Sequence, residues 1–334
     1  MKATIALLLF VAICAAAGLI APMYGAVGGI RFVTQMFLYL AIAEMWNLLA
    51  GYAGLLCLGQ QMFIGIGTYC LFYSALQFNV SPYWVMPLAF VFSGAMGALA
   101  AILLFRLKFF YFAIGQWILS DMIASFISRT PALGGASGYQ LSDVLPLINF
   151  NWFDQVIFWI SAAIAYAAIW GGYLLMRSSV GLGLMSIRDN DIAAASVGVN
   201  VWTNRFIVFI VAGAVCGLAG AVYYTDQLAM GPLQAFDPNW VIWMLFIVIV
   251  GGIGTLEGPI VGTIIYFGLK EIFIDAFNLS GAWYLVAVGA VAMIVMLYSP
   301  HGLWPLIRDR FGIRGLSVRR HPPPALMPRP QPAE

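Results

Sequence analysis

The chain has 334 residues, of which 63% are hydrophobic and 8% charged, with a formal net charge of +2 and a mean hydropathy of +0.95. Soluble domains carry roughly 25% charged residues, so these residues cannot cover a soluble surface, and an integral membrane protein is the class that fits. The balanced charge excludes a basic nucleic-acid-binding face. Cys14, Cys57, Cys70 and Cys216 sit in apolar runs without a CxxC, and His301 and His321 form no HExxH-type pair. Buried thiols are therefore expected, and metal ligation or disulfides lack the spacing.

A membrane span needs about 20 apolar residues. In chain order, spans are expected at 3–23, 32–50, 55–76, 83–105, 109–128, 152–176 and 206–225, a short pair at 240–250 and 259–273, and a last span at 282–299. The first follows Lys2 and resembles a signal peptide, but the run stays free of charge to Ile30, longer than a signal requires, so it reads as a first transmembrane helix. The expected fold is all-α and polytopic, with about 8–10 spanning or half-spanning helices, broken near Gly51 and Gly251.

Lys and Arg cluster in the loops at Arg106 and Lys108, at Arg177, Arg188 and Arg205, and at Arg308, Arg310, Arg314, Arg319, Arg320 and Arg329. All three clusters, with Lys2, fall on one side if the pair around Gly251 dips and returns. That side is expected to be the cytoplasm. Residues 1–307 are then a transmembrane domain with a long cytoplasmic loop at 177–205. Residues 308–334 are a basic, Pro-rich cytoplasmic tail, expected to be disordered after Gly315.

The loop holds the stretch SIRDNDIAAASVG, Ser186 to Gly198. Arg188, Asp189 and Asp191 fall within four positions, and burying them in a bilayer would cost on the order of 8–10 kcal/mol. The segment therefore lies outside the membrane core. Asp189 or Asn190 can cap a helix over 192–197, and Gly198 can end it. Such a helix, held between two spans, reads either as a lever for a soluble partner or as a solvated loop.

The Ala193-Ala194-x-x-x-Gly198 pattern resembles the ATPase-docking loop of ABC importer permeases. The longer run RDNDIAAASVGVNVWTNRFIVFIVAGAVCGLAGAVYY resembles the LivM-type branched-chain amino acid permease family. So do WNLLAGYAGLLCLGQQMFIGIGTY, VIVGGIGTLEGPIVGTIIYFGL and MLYSPHGLWPLI, in the expected order, and LGGASGYQL more loosely. The resemblance implies a permease subunit for branched-chain amino acids or a related small solute, in the bacterial inner membrane. It also implies a second, LivH-like permease, ABC ATPase subunits that bind ATP and Mg, and a periplasmic substrate-binding protein. In that family a histidine is common where Gln60 stands and a serine where Cys57 stands, which leaves the cargo open.

Gly51-x-x-Gly54-x-x-x-x-Gly59 and Gly251-x-x-Gly254-x-x-x-Gly258 interrupt apolar runs with a similar pattern. Irregular backbone at membrane depth survives where protein buries it or water reaches it, and paired breaks of this kind predict a site near the midplane. Close helix packing is the other use of such glycines, and is the reading for Gly65, Gly67, Gly213, Gly217 and Gly220. Gln60 and Gln61 follow the first break; their amides suit a zwitterion in a pathway or a helix–helix contact. Glu44, Asp121 and Glu257 are the acids in or near the spans. No catalytic cluster and no cofactor bound by this chain is expected. No GxxxxGK[ST] phosphate loop occurs, so ATP hydrolysis by that route needs another chain. A self-contained secondary transporter or channel is the alternative, against which stands the absence of an ion-coupling acid pair. A membrane-embedded enzyme lacks a histidine within the spans.

Overall fold

The computed structural model describes residues 27–107, 110–140, 152–273 and 282–311. The expected span at 3–23 and the tail beyond 311 lie outside the described residues. Within them the chain is almost wholly helical. Six segments are long and apolar enough to cross a membrane: Gly28–Tyr52, Pro82–Leu104, Phe110–Arg129, Phe153–Arg177, Val201–Gln227 and Pro232–Gly251.

Helix α1 (Val27–Asn47) runs into a π-helical turn at Leu48–Tyr52, where the regular ladder stops. The expected span at 55–76 is a helix only from Gln61 onward: α2 is Gln61–Phe78, and the residues ahead of it are irregular. Asn79 ends α2 in the left-handed conformation (φ 52°), which Asn tolerates better than most residues. Pro82 then opens α3 (Pro82–Leu104), where its missing N–H has no ladder partner to lose. Next come α4 (Phe110–Arg129) and α5 (Phe153–Arg177), close to expectation.

The long loop is itself helical. Helix α6 (Ser179–Asp189) precedes α7 (Asp191–Ser196), and α8 (Val201–Gln227) follows. A two-residue ladder pairs β1 (Tyr139–Gln140) with β2 (Ala229–Met230). Helices α9 (Pro232–Ala235), α10 (Asn239–Gly251), α11 (Gly258–Glu271), α12 (Ala282–Tyr298) and α13 (Leu303–Phe311) complete the order. At 13 and 14 residues, α10 and α11 each rise about 20 Å, short of a ~30 Å hydrocarbon core. The Pro232 turn ahead of α10 extends it to a spanning stretch, Pro232–Gly251, longer than the short segment expected at 240–250. Helix α13 crosses the expected domain boundary at 307/308, so the basic tail begins as helix.

Helices α1 and α2 form the centre. The α1 span is 78% buried within the chain and the α4 span 28%, so α4 is an outer wall. Small residues let α2 and α8 meet backbone to backbone: a Cβ at Gly67 would run into the Gly217 carbonyl, and one at Gly220 into Ile64. These glycines serve the packing role expected of them. Around α1, the Tyr39 ring lies within 5.3–6.1 Å of Tyr223, Trp240, Trp243, Tyr266 and Phe267, binding α1 to α8, α10 and α11.

Three contacts bring the basic clusters to one end of the bundle. Phe105, next to Arg106, meets Trp202 at the start of α8. Arg188 reaches Gly51. Gly252, beside the second break, lies against Pro305 and the His301 carbonyl at the start of α13. The opposite end carries Arg31, paired with Asp154 at 3.1 Å, and the β1–β2 ladder.

Candidate functional site

The loop closes on itself through local caps. Ser178 ends α5 and caps α6, its Oγ accepting from the Gly181 N–H. Asn190, not Asp189, caps α7: its Oδ1 accepts from the N–H groups of Ile192 and Ala193, both at 3.0 Å. Helix α7 starts one residue earlier than expected, at Asp191. Gly198 ends the turn at φ +88°, with its N–H on the Ala195 carbonyl, a backbone conformation that favours glycine. Asn200 caps α8 through the Thr203 N–H. Of the α7 residues, Ala194 faces inward and is buried, while Ala193 is exposed. Ile192 and Val197 are 80% and 78% exposed, and Asp189 is exposed at the end of α6.

Two arginines connect this loop to the interrupted backbone. Arg205, on the first turns of α8, holds Asp191 with both terminal nitrogens at 2.8 Å. Its Nε donates to the Ala53 carbonyl at 3.3 Å. Arg188 Nη1 donates to the Gly51 carbonyl at 2.6 Å. Carbonyls freed where a helix breaks need donors, and here the loop's guanidinium groups supply them.

The second break lies against the first. Asn47 Oδ1 accepts from the Gly254 N–H and Asn47 Nδ2 donates to the Thr255 carbonyl, both at 2.8 Å. Gly54 and Gly254 both adopt positive φ, +65° and +73°, so the two glycine patterns share a geometry as well as a spacing. Gly251 packs on the Gly258 carbonyl, and Glu257 sits half buried just ahead of α11. The breaks therefore meet each other and the loop at one junction, with the Arg188 guanidinium on the Gly51 carbonyl and Asn47 bridging to Gly254 and Thr255.

The irregular segment nevertheless reaches the interior. It runs from Gly51 to Gly59, where a Cβ would strike the Gln116 carbonyl, and the Gly59 N–H donates to Gln116 Oε1 at 3.3 Å. Gln60 Nε2 lies 3.1 Å from the Sγ of Cys216, near the middle of α8. Gln60 and Gln61 are fully buried, and neither Nε2 nor Oε1 of Gln61 has a hydrogen-bond partner. Glu44 is buried in α1 beside Gly172, within electrostatic reach of Tyr52 and of Glu257, so the structure brings two of the acids together where no acid pair was expected. Asp121 is exposed on the outward face of α4 rather than lining the interior. Among the described residues no group of three His, Cys, Asp or Glu side chains could hold a metal, and Cys57, Cys70 and Cys216 are free thiols.

Sequence reasoning missed Asn47 and Gln116, and took Arg205 only as part of a charge count. The available signal was position: Asn47 is an amide in an apolar span, four residues ahead of Gly51.

A profile of the family described as branched-chain amino acid transport system, permease component, matches residues 28–297, which hold the loop, both breaks and the central helices. The chain belongs to this family. Among its relatives, the high-affinity branched-chain amino acid permease protein LivM of Salmonella typhimurium is 23% identical over 312 residues, 86% of this chain and 72% of that protein. The probable branched-chain amino acid permease LivH of Methanocaldococcus jannaschii is 25% identical over 263 residues, 71% and 79% of the two chains. The L-arabinose permease AraH of Escherichia coli is 24% identical over 170 residues, about half of each chain. No solved structure matches the chain. As a member of this permease family, the chain is a multi-pass membrane protein built on α1, α2 and the two breaks.

Proposed function

We propose that this chain is the membrane-spanning permease subunit of an ATP-driven importer for branched-chain amino acids or a closely related small solute. One observation carries the reading: the exposed helix α7 is tied through Asp191 and Arg205 to the Ala53 carbonyl, inside the broken segment that leads to Gln60 and Gln61. A soluble protein gripping Ile192 and Val197 would move that segment directly.

In this reading an ABC ATPase binds ATP and Mg and docks on Arg188, Asp189, Asp191, Ala193, Ala194 and Gly198. ATP-driven closure of its dimer shifts α7, and Arg205 and Arg188 pull on the carbonyls of Ala53 and Gly51. The path past Gly51, Gly54, Gly59, Gln60 and Gln61, with Gly251, Gly254 and Glu257 alongside, opens to one face and then the other. A second, LivH-like permease completes the pore, and a periplasmic binding protein delivers the cargo. The chain itself performs no hydrolysis and binds no cofactor. It sits in the inner membrane with the basic loop and the C-terminus in the cytoplasm, as the shared end of the Lys and Arg clusters supports.

The test is purification of the tagged chain from gently solubilised membranes, followed by uptake and ATPase assays on the complex. A P-loop ATPase and a second permease are expected to co-purify. Asp191→Lys and Gly198→Ile are expected to leave the chain inserted but to separate ATP hydrolysis from uptake. A chain that purifies alone and transports without partners, or normal coupling in both variants, overturns the reading.

A further inference from the structure

Five polar atoms around the start of α2 are buried inside the membrane bundle without a hydrogen-bond partner: Oε1 of Gln60, Oε1 and Nε2 of Gln61, Nε2 of Gln116 and Oγ of Ser120. All four residues are 0% exposed. Native interiors rarely leave buried amides unsatisfied, and a group left so calls for a functional account. The four residues also belong together. The Gly59–Gln116 contact fixes α4 against the segment that carries Gln60 and Gln61. Ser120 stands one turn beyond Gln116 on the same buried face of α4. Gln61 lies on one stripe of α2 with Gly65 and Tyr69, and both of those meet the Phe236 ring.

We propose that these residues form a subsite for the polar head of a net-neutral zwitterion. The chemistry divides cleanly. The carbonyl oxygens of Gln60 and Gln61 accept from an ammonium group. The NH2 groups of Gln61 and Gln116 and the hydroxyl of Ser120 donate to a carboxylate, which also faces the positive end of the α2 dipole at Gln61. Phe236 and Tyr69 flank the stripe with aromatic surface for an apolar side chain. None of these side chains is charged, so an ammonium and a carboxylate can be met together, but a solute with net charge would be buried without a counterion. Asp121, the acid nearest in sequence, points outward. Neutral donors and acceptors also hold the cargo weakly, as a pore must.

The inference rests on the amino-acid importer reading above and adds Gln116, Ser120 and the net-neutral rule. The test uses the complete complex in proteoliposomes, with its ATPase, its second permease and its binding protein loaded with labelled L-leucine. Gln61→Met removes two orphaned atoms at similar volume; Gln116→Leu removes a third, together with the Oε1 that accepts from the Gly59 N–H. If the Gln61 amide were only a structural burden, Gln61→Met would keep uptake and unfold at the same or a higher temperature. The expected result for Gln61→Met is unfolding temperature and leucine-stimulated ATP hydrolysis close to wild type, with uptake lowered about tenfold or more, the scale of one lost charge-assisted hydrogen bond. Gln116→Leu is expected to unfold earlier, and its uptake is compared per assembled complex. Ser120→Cys is expected to react with a neutral thiol reagent more slowly while leucine is being transported. Uptake equal to wild type in both amide variants, with unprotected Ser120→Cys, overturns the subsite and leaves the importer reading standing. Should either apolar variant fail to assemble, Gln61→Asn and Ser120→Ala decide by the same criteria. A wild-type complex that takes up none of leucine, isoleucine and valine overturns both readings.

Discussion

Asn47 and Gly254 stand 207 residues apart and share a 2.8 Å hydrogen bond, while the other end of the same amide holds the Thr255 carbonyl. One side chain thus satisfies a donor and an acceptor exposed by a break in another helix. The two interruptions are one junction, closed by α1. Asn47→Leu would leave both backbone groups unpaired, at about 1–3 kcal/mol each. A large drop in the unfolding temperature of the detergent-purified protein is expected, with a smaller one for Asn47→Asp, which keeps only the acceptor. Equal stability of Asn47→Leu and wild type would show that the breaks find other partners.

Arg205 joins Asp191 to Ala53, and the two contacts can be separated. The exchange Asp191→Arg with Arg205→Asp restores an ion pair but leaves the Ala53 carbonyl without its donor. ATPase binding is expected to survive the exchange while uptake per ATP hydrolysed falls. Arg205→Lys should behave similarly, because an ammonium cannot serve a bidentate carboxylate and a carbonyl in this geometry. Full coupling in the exchanged pair would place the transmission elsewhere.

The positive-φ glycines should rank by their surroundings. A Cβ at Gly254 would sit 2.7 Å from Arg188 Nη1 and 3.1 Å from the Gly51 carbonyl; at Gly54 the nearest atom is 3.5 Å away, and at Gly198 there is open space. All three substitutions to Ala carry the left-handed backbone cost of roughly 1–2 kcal/mol. Gly254→Ala adds displacement of the Arg188 contact. Thermal unfolding of the three variants should give Gly254→Ala as the least stable, with Gly54→Ala and Gly198→Ala close together.

The Arg31–Asp154 pair is a contrasting case. Its side chains are 42% and 28% exposed, and exposed pairs contribute about 0–1 kcal/mol. Arg31→Ala is expected to change the unfolding temperature little, and less still at high salt. A loss comparable with Asn47→Leu would mean that the far end of the bundle carries more of the stability than its exposure allows.

Much of this architecture was legible because membrane spans and caps are local. Apolar run length located α3, α4, α5 and α12 to within a few residues, and the Asn190–Gly198 stretch carried its own start and stop. The start of α2 was not legible. Residues 55–60 are as apolar as a helix but are held irregular by contacts with Gln116 and Cys216, which lie far away in sequence. Helix α6 escaped notice because its glycines, Gly181 and Gly183, lower helix propensity; they are there to pack on Met176 and Asn204. The link between the loop and the first break depended on Arg188 folding back onto Gly51, which no periodicity records. Gln60 and Gln61 stood out as amides in an apolar run, whereas Gln116 and Ser120 gained meaning only once α4 was laid beside Gly59.

Helix α2 is absent from the six segments apolar enough to span on their own, and it is buried against both α3 and α8. Gln60 and Cys216, which touch, are 156 residues apart. At roughly 5–20 residues per second, synthesis leaves α2 without α8 for about 10–30 s. During that time α3 can cover one side of α2, but the face that α8 covers and the Cys216 contact of Gln60 are missing. Membrane insertion of this protein is therefore provisional until α8 emerges, and a chain truncated before α8 should be recognised and degraded.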